Sequence, residues 1–279
     1  MISHTELFEK YQSIGITDEQ AKQEVEKIIG KHFEENNNVE TYKKIFGLLD
    51  FTSLNNTDTV SHIKDFTEKA NRFKTPVAGI CVYPSMVATV KETLTVPNVD
   101  VISVVGFPSP QTFLEVKIAE TAMAVLEGAT EIDMVFPIDK FLEGNFQELY
   151  EEINEVKTSC RNAKLKVIIE TGTLKTAENI AKATLFSIAS GADFIKTSTG
   201  KVGIGATLEA AYVMCQIIKE FEKKNRTRIG IKIAGGVSTK ENAVEYYTLI
   251  KEILGNEYLN KDLFRIGASK LADELIVGF

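Results

Sequence analysis

The sequence is poor in the residues that build disulfide frameworks and metal centres, since its 279 residues include only three cysteines and three histidines. The cysteines are widely spaced, at Cys81, Cys160 and Cys215. An odd number without a CxxC pair favours neither a disulfide framework nor a zinc site, and it indicates a reducing compartment. The histidines are equally scattered, at His4, His32 and His62. We therefore expect no metal ion and no other cofactor.

Long apolar runs and an excess of basic charge are also missing. No segment approaches the apolar length of a membrane span, and the first residues, MISHTELFEKYQSIG, lack the basic and apolar regions of a secretory signal. The net charge is −7 with acidic and basic residues interspersed, so the chain has no basic face of the kind that binds nucleic acid. These absences predict a cytoplasmic protein with neither a membrane nor a nucleic-acid partner.

The sequence does contain a regular alternation of short β-branched runs with longer amphipathic stretches. Eight runs read as strands: 47–54, 75–83, 99–107, 129–137, 164–172, 191–198, 228–236 and 263–269. Apolar residues recur at helical spacing in 111–128, 144–163 and 176–191, and Gly128 and Gly191 stand where C-caps would end two helices. Eight strands each followed by a helix predict a (β/α)8 barrel of the α/β class. A doubly wound open sheet is the alternative, which the lack of a GxGxxG motif after the first strand weakens.

The segment before the first strand is predicted to be helical. Thr17 and Gln20 have the spacing of a capping box ahead of AKQEVEKIIGKHF. We interpret residues 1–46 as a helical N-terminal extension of a single barrel domain that spans residues 1–279, a length that suits one large core. The helices of this extension could supply the interface of a homodimer.

Charged residues inside the predicted strands are the informative feature, and they are Asp50, Asp133, Glu170, Lys196, Lys232 and Arg265. Because side chains alternate along a strand, Lys232 points into the barrel while Ile231 and Ile233 point toward the helices. Charges in that interior need partners, and a balanced network at the C-terminal rim is where barrel enzymes place their chemistry. For Asp50, Glu170 and Arg265, a structural ion pair fits this pattern as well as a catalytic role does.

The two strand lysines need a common explanation, because buried lysines are rare unless they are paired or functional. They lie in FIKTSTGK and GIKIAGGVS, at Lys196 and Lys232. A lysine attacks a carbonyl only as a neutral amine, and a neighbouring cation together with loss of solvent lowers its pKa toward neutral pH. A second lysine beside Lys196 is therefore what an amine nucleophile requires.

Seven stretches, taken together and in order from about residue 48 to residue 272, resemble the deoxyribose-phosphate aldolase family: DFTSLN, ICVYPS, EIDMVFP, LKVIIETG, FIKTSTGK, IKIAGGV and FRIGAS. The resemblance implies a class I aldolase on a (β/α)8 barrel that cleaves 2-deoxy-D-ribose 5-phosphate, without metal, to acetaldehyde and D-glyceraldehyde 3-phosphate. It also implies that Lys196 forms a Schiff base, that Lys232 is its cationic neighbour and that Asp133 transfers protons.

A sugar phosphate needs contacts at both of its ends. At the reacting end we expect Asp50 to hold the second lysine, and Thr52 and Thr199 either to bind substrate hydroxyls or to serve as cap or turn residues. Cys81 is interpreted as a small buried residue that could also line the pocket. At the other end, Lys201 supplies a cation, and backbone N–H groups after the last two strands are expected to bind the phosphate. These backbone positions are Gly235, Gly236, Gly267, Ala268 and Ser269.

The sequence departs from the family pattern at two places. Ser238 stands where many members have an arginine, so phosphate affinity is expected to differ. The chain stops at LIVGF, where members often continue to a tyrosine that reaches the active site.

Three other hypotheses remain open. A metal-dependent class II aldolase would need a cluster of histidines, which the scattered positions do not provide. Another class I sugar-phosphate aldolase would share the lysine chemistry. A non-catalytic sugar-phosphate sensor would need no reactive amine, so borohydride trapping separates it from an aldolase.

Overall fold

The structure is a computed structural model, and it describes residues 15–276. Two helices precede the barrel: α1 (Asp18–Asn36) and α2 (Val39–Phe46). Thr17 and Gln20 form the predicted capping box at the start of α1. The rest of the predicted extension, residues 1–14, and residues 277–279 of the LIVGF end lie outside the described residues.

Eight parallel strands close into a barrel in the order of the chain, which confirms the predicted (β/α)8 fold over the open sheet. The strands are β1 (Leu49–Thr52), β2 (Gly79–Val82), β3 (Asp100–Val105), β4 (Glu131–Val135), β5 (Lys164–Ile168), β6 (Phe194–Lys196), β7 (Gly230–Ala234) and β8 (Phe264–Ala268). The helices between and after them are α3 (Val60–Asn71), α4 (Val87–Thr93), α5 (Leu114–Leu126), α6 (Ile138–Glu143), α7 (Phe146–Ser159), α8 (Thr171–Leu174), α9 (Ala177–Ala189), α10 (Leu208–Asn225), α11 (Lys240–Leu254) and α12 (Leu271–Ile276). Two 3₁₀ turns, Pro84–Met86 and Asn256–Tyr258, complete the described elements.

The predicted strands were in the right places but too long at their ends. Glu170 was assigned to the fifth strand, whereas β5 ends at Ile168 and Glu170 caps the short helix α8 with a left-handed backbone, φ 54°. The assignment was wrong because Ile169 continues the apolar run, and its N–H still bonds to the carbonyl oxygen of Lys196, although the strand has ended. Gly128 and Gly191 lie one residue beyond the C-caps of α5 and α9, which are Glu127 and Ser190. Both glycines have positive φ, where glycine avoids the strain of a side chain.

The barrel separates an apolar outer shell from a charged interior. Ile231 and Ile233 point outward, as predicted, into the hydrophobic core between the strands and helices. Phe194 faces inward and fills the space beside Gly230, where a Cβ atom would lie 2.3 Å from the phenyl ring. Lys166 and Arg265 lie 5.7 and 5.9 Å from the centre of this ring, so it forms the apolar base beneath the interior charges. Within residues 15–276, no helix has the length and apolarity needed to cross a membrane.

Candidate active site

Lys196 and Lys232 lie on adjacent strands and share one carboxylate. They are register partners in β6 and β7, and both are buried, Lys196 with 3% of its surface exposed. The Nζ atoms of Lys196 and Lys232 donate to the same atom, Oδ2 of Asp133 in β4, over 2.8 and 2.7 Å. The structure therefore brings together the three residues for which the family resemblance implies catalytic roles.

A second acid contacts Lys232 from β1. Oδ2 of Asp50 lies 2.5 Å from Nζ of Lys232, and Oδ1 of Asp50 accepts a hydrogen bond of 2.5 Å from Nη1 of Arg265 in β8. Asp50 is fully buried. Asp50 therefore lies between two cations, Lys232 and Arg265. Lys232 is the lysine that the sequence analysis expected Asp50 to hold.

The interior charges continue toward the opposite end of the barrel. Lys166 in β5 lies 3.1 Å from Oδ1 of Asp133 and pairs with Glu131. Arg265 contacts Glu131 at 2.9 Å and Asp100, the first residue of β3, at 3.0 Å. The network thus extends below the C-terminal rim to which the sequence analysis confined it. Each charge in this network has an opposite partner, and removal of one partner would be strongly destabilising because it leaves the other charge buried and unpaired.

Three members of this network were missed in the sequence: Asp100, Glu131 and Lys166. Glu131 precedes Asp133 by two residues, so it shares the inward face of the strand. Lys166 stands between Leu165 and Val167, as Lys232 stands between isoleucines. Asp100 stands in the same way between Val99 and Val101, so a signal was available for each of the three residues.

Burial and charge act differently on the two lysines. Burial lowers the pKa of Lys196; Asp133 opposes this, and the Lys232 ammonium lowers the pKa of Lys196 further. Burial also disfavours the charge on Lys232, but Asp133 and Asp50 outweigh it and raise the pKa of Lys232. Lys196 is therefore the lysine that more readily becomes a neutral amine, while Lys232 remains a cation.

The carboxylate between the lysines is held in its ionised form. Burial disfavours the charge on Asp133, but Lys166, Lys196 and Lys232 together hold the pKa of Asp133 well below its ordinary range. The group can accept several hydrogen bonds at once because both of its oxygens are unprotonated. Asp133 is accordingly a fixed acceptor that both lysines contact.

Asp50 should make the stability of the protein sensitive to acid. Burial disfavours its charge, but Lys232 and Arg265 outweigh burial and lower the pKa of Asp50 from 3.8 to about 2. Because the folded-state pKa is depressed, this stabilisation is complete above about pH 4 and is lost as the pH falls toward about 2. We expect the free energy of unfolding to fall by on the order of 2–3 kcal/mol from this group across that window. Urea unfolding curves measured through the window test this, and a free energy that does not change there would contradict it.

Lys196 forms part of a cavity of about 380 Å³ at the C-terminal end of the barrel. The wall comes from the segments after β1, β6, β7 and β8 and from helix α3. Eight predicted binding residues line it: Thr52, Thr199, Lys201, Gly235, Gly236, Gly267, Ala268 and Ser269. The lining includes three lysines, Lys196, Lys201 and Lys270, but no carboxylate. This composition favours an anionic ligand, in spite of the net charge of −7 on the chain.

Close contact between loops shapes the glycine-rich end of the cavity. The N–H of Ala206 donates to the carbonyl oxygen of Gly235 over 2.9 Å, and a Cβ atom at Gly205 would lie 2.4 Å from that oxygen. Only glycine permits this approach, so the segment after β6 closes onto the segment after β7. On the other side, Nζ of Lys201 donates to the carbonyl oxygen of Leu54 over 2.5 Å. Lys201 therefore links the segments after β6 and β1.

Thr199 and Thr52 line the cavity but also make hydrogen bonds within the protein. Oγ1 of Thr199 donates to Oε2 of Glu170 over 2.6 Å and accepts from the N–H of Lys201 over 3.1 Å. Burial raises the pKa of Glu170, although these contacts with Thr199 oppose it. Oγ1 of Thr52 donates to the carbonyl oxygen of Asp50 over 2.7 Å. Substrate contacts by both threonines stay predictions.

Asp50 and Cys81 lie outside the residues that line the cavity. Cys81 is fully buried and packs with Leu54, Ile102 and Val104. Burial raises the pKa of its thiol, so it is neutral and apolar in character. The sequence analysis grouped both residues with the substrate contacts, and that role stays a prediction for each of them.

The cavity also contains residues to which the sequence analysis gave no role. His62 projects from α3, with its Nδ1 atom 2.9 Å from Oδ1 of Asp58. Asp58 is fixed in turn by a hydrogen bond of 2.8 Å from Oγ of Ser53. Lys270 lies two residues after the end of β8. Ser238, for which the sequence analysis expected an altered phosphate affinity, also lines the cavity after β7. The lysine that follows the GAS motif could have been noted in the sequence. His62 gave no such signal, because the sequence does not show that helix α3 lies beside the mouth of the barrel.

One group of potential metal ligands occurs among residues 15–276, and it lies away from the cavity. His32, Glu35 and Glu252 place one ligand atom each within 4.8 Å of one another on α1 and α11. The ammonium of Lys251 lies 3.1 Å from Glu35, and the two glutamates are exposed. The Lys251 ammonium already neutralises part of the negative charge of this exposed cluster. The cluster therefore does not resemble a metal-binding site.

Comparison with known proteins agrees with the geometry. The sequence model of the DeoC/LacD family aldolases matches residues 45–246. The deoxyribose-phosphate aldolase of Homo sapiens is 38% identical over 252 residues, which cover 83% of this chain and 78% of the human protein. The corresponding enzyme of Mus musculus is 37% identical over the same shares of the two chains. A solved structure described as "QR15, an Aldolase" has a TM-score of 0.70 and 29% identity, covering 84% of this chain and 96% of its own. The chain belongs to the DeoC/LacD family of aldolases, which are carbon–carbon lyases.

Proposed function

We propose that this aldolase cleaves 2-deoxy-D-ribose 5-phosphate reversibly to acetaldehyde and D-glyceraldehyde 3-phosphate through a Schiff base on Lys196. The observation that carries the proposal is the position of Lys196. Its amine has a lowered pKa, and it lies in a cavity with further lysines and no carboxylate. The cavity thus places an amine nucleophile beside a positively charged wall that suits a phosphorylated substrate.

The reaction starts when neutral Lys196 attacks the C1 aldehyde of the open-chain sugar. Loss of water from the carbinolamine gives an iminium ion, which withdraws electrons from the neighbouring carbon. The 3-hydroxyl then loses its proton, the C2–C3 bond breaks, and C3 becomes the aldehyde of D-glyceraldehyde 3-phosphate. The electron pair of the broken bond forms an enamine. Protonation at C2 and hydrolysis release acetaldehyde and regenerate the amine.

Asp133 and Lys232 are assigned the proton transfers that these steps need. Asp133 accepts hydrogen bonds from both lysines at the same oxygen, so a proton can pass between the two amines through one atom, or through a water molecule beside it. Lys232 carries the proton because its pKa is raised. Asp50, which contacts Lys232 but not the cavity, positions this cation.

The phosphate is assigned to the glycine-rich end of the cavity. Gly235, Gly236 and Gly267 line this end, and we assign the phosphate to backbone N–H groups of this glycine-rich wall, as at the phosphate sites of many barrels. Lys201 is the cation that the sequence analysis assigns to this end of the cavity.

A coupled assay tests the proposal directly. We expect purified protein to produce glyceraldehyde 3-phosphate from 2-deoxyribose 5-phosphate, detected through an NADH-linked dehydrogenase. Cleavage of a different sugar phosphate, with covalent trapping on Lys196, would point to another class I aldolase. Binding of the sugar phosphate without turnover or trapping would support a sensor instead.

Chelation separates the amine mechanism from a metal-dependent one. We expect EDTA to leave the rate unchanged, because an iminium ion performs the electron withdrawal that a metal ion provides in class II aldolases. The control is the same assay after addition of zinc to the treated enzyme. A loss of activity that zinc restores would overturn the assignment.

Three further expectations stay predictions: a cytoplasmic location, a homodimer built with the N-terminal helices, and a single domain over residues 1–279. Sedimentation analysis of the full chain would establish the oligomeric state.

A further inference from the structure

Cleavage of the C2–C3 bond requires an acceptor for the proton of the 3-hydroxyl. Asp133 contacts the amine of Lys196, and Lys232 contacts Asp133, so both residues serve proton transfer at the amine. Both also lie outside the residues that line the cavity. The hydroxyl is carried by C3, whereas Lys196 attacks C1. Its proton therefore needs an acceptor on the wall of the cavity.

Thr199 lines the cavity, and the proton of its hydroxyl group is already engaged. Oγ1 of Thr199 donates to Oε2 of Glu170 over 2.6 Å and accepts from the N–H of Lys201 over 3.1 Å. The N–H of Thr199 also donates to both carboxylate oxygens, at 3.3 Å each. A hydroxyl has one proton and two lone pairs, so Oγ1 can accept one further hydrogen bond but cannot donate one. A substrate hydroxyl at this wall must donate its proton toward Thr199.

The backbone fixes Glu170 beside the end of β6. On one side of it, the N–H of Ile169 donates to the carbonyl oxygen of Lys196 over 2.9 Å. On the other side, the N–H of Thr171 donates to the carbonyl oxygen of Thr197 over 2.9 Å. Glu170 itself is buried and has a φ of 54°, which a residue other than glycine rarely adopts. The carboxylate is therefore held next to the segment that carries the nucleophile.

A second pair of a hydroxyl and a carboxylate, Ser53 and Asp58, lies at the cavity but is less suited to take a proton. Asp58 accepts hydrogen bonds from Ser53 and twice from Asn55, and His62 lies 2.9 Å away. Burial disfavours the charge on Asp58, but these contacts outweigh burial and lower the pKa of Asp58. Burial is the larger effect on Glu170, and it raises the pKa of that carboxyl. A carboxylate with a raised pKa is the stronger base.

We propose that Thr199 takes the proton of the 3-hydroxyl as the C2–C3 bond breaks, and that Glu170 orients Thr199 and receives its proton in the same step. The hydroxyl proton passes to Oγ1 of Thr199, and the proton of Oγ1 passes to Oε2 of Glu170. The electrons of the O–H bond form the carbonyl at C3, and those of the C2–C3 bond form the enamine. Glu170 becomes a neutral carboxylic acid, which returns its proton through Thr199 to water after the aldehyde product has left. The inference rests on the proposed function, since it supplies an acceptor for the cleavage step.

Two reactions of the same enzyme separate this step from the chemistry of the amine. Exchange of the methyl hydrogens of acetaldehyde with deuterium oxide, followed by NMR, needs the Schiff base and the enamine but breaks no carbon–carbon bond. Cleavage of 2-deoxyribose 5-phosphate also needs the hydroxyl acceptor. In E170Q and in T199V we expect kcat for cleavage to fall by about 100-fold or more, as for the loss of a general base, while acetaldehyde exchange stays nearly constant. KM should change little in E170Q.

Matched variants exclude a merely structural effect. E170Q keeps an oxygen that accepts the hydrogen bond of Thr199, but an amide does not take up the proton. T199S restores the hydroxyl and should recover most of the rate that T199V loses. E178Q removes an exposed glutamate from α9, outside the cavity, and should leave both reactions unchanged. The double variant E170Q/T199V should be no slower than T199V, because the two residues act as one unit.

Equal losses in both reactions would overturn the inference, since they would place the defect at the Schiff base or in the fold. It would also be overturned by unchanged cleavage in a folded E170Q, or by a selective loss in S53A that T199V does not show. If the unmodified enzyme exchanges acetaldehyde but cleaves a different sugar phosphate, the proposed function fails. The same comparison with that sugar then still decides the role of Glu170, because every aldol cleavage removes the proton of the reacting hydroxyl.

Discussion

Acetaldehyde and borohydride are expected to leave a covalent two-carbon adduct on Lys196 and on no other lysine. Reduction converts the Schiff base into a stable secondary amine, so peptide mapping identifies the residue. Lys196 is the only one of the three catalytic candidates that lines the cavity, and burial lowers its pKa. Both properties are needed for an amine to meet and attack an aldehyde.

Substitution of the same residue should remove almost all activity. We expect K196M to lower kcat by on the order of 10³-fold or more, since covalent catalysis is lost with the nucleophile. K196R is the companion variant, because it keeps a cation beside Asp133 but cannot form a Schiff base at neutral pH. Both variants should lose activity and labelling alike, and a melting curve for each shows that the fold persists.

A label on Lys201 or Lys232 would contradict this assignment. The same holds for turnover without any label, which would mean that the aldehyde is activated by another group. The two lysines are distinguishable in the peptide map because they lie on separate segments, after β6 and within β7.

Removal of the charge on Lys232 is the second large effect that we expect. In K232M, the pH at which Lys196 becomes reactive should rise by more than about one unit. Two unit charges about 5 Å apart at an effective dielectric constant near 20 repel by roughly 3 kcal/mol, which corresponds to a change of about two in pKa. The Lys232 ammonium therefore disfavours a second ammonium at Lys196.

The shared carboxylate adds to this effect. In the unmodified protein, Lys196 and Lys232 both contact Oδ2 of Asp133, so Lys232 offsets part of the attraction of Asp133 for a charged Lys196. Without Lys232, that attraction acts on Lys196 alone and raises its pKa further. Both contributions have the same sign, and both move the reactive form to higher pH.

Schiff-base formation is the appropriate measurement, because steady-state turnover also includes the proton transfers assigned to Lys232. The rate of adduct formation with acetaldehyde is followed across pH by quenched borohydride trapping. K232R serves as the control, since it keeps a positive charge between Asp50 and Asp133 and should keep the midpoint low. K232M leaves both acids with one cation fewer and should destabilise the fold by about 3–5 kcal/mol, so its melting temperature is measured in parallel. An unchanged midpoint in a folded K232M would show that Lys232 does not tune the nucleophile.

The fold could be predicted because its signals are local. Strand runs and amphipathic helices repeat along the chain, and each repeat depends on neighbouring residues alone. The limits of the strands were less predictable, as Glu170 shows. Ile169 extends the apolar run beyond Ile168, but the backbone turns into the left-handed region at Glu170. There Thr199, from another segment, donates a hydrogen bond to the carboxylate.

By itself, the sequence determined the barrel, the inward direction of Lys196 and Lys232, and the glycine-rich segments after the last two strands. Alternation of side chains along a strand is a property of the backbone, so these directions follow from residue order. Only the tertiary structure decided which charges meet. Asp133 joins three lysines from three different strands, and Lys270 reaches the wall of the cavity that contains Lys196. Such contacts depend on how the strands of the closed barrel are staggered and on which loops fold over its mouth. Neither property can be read from the local sequence, because the residues that meet are far apart in the chain.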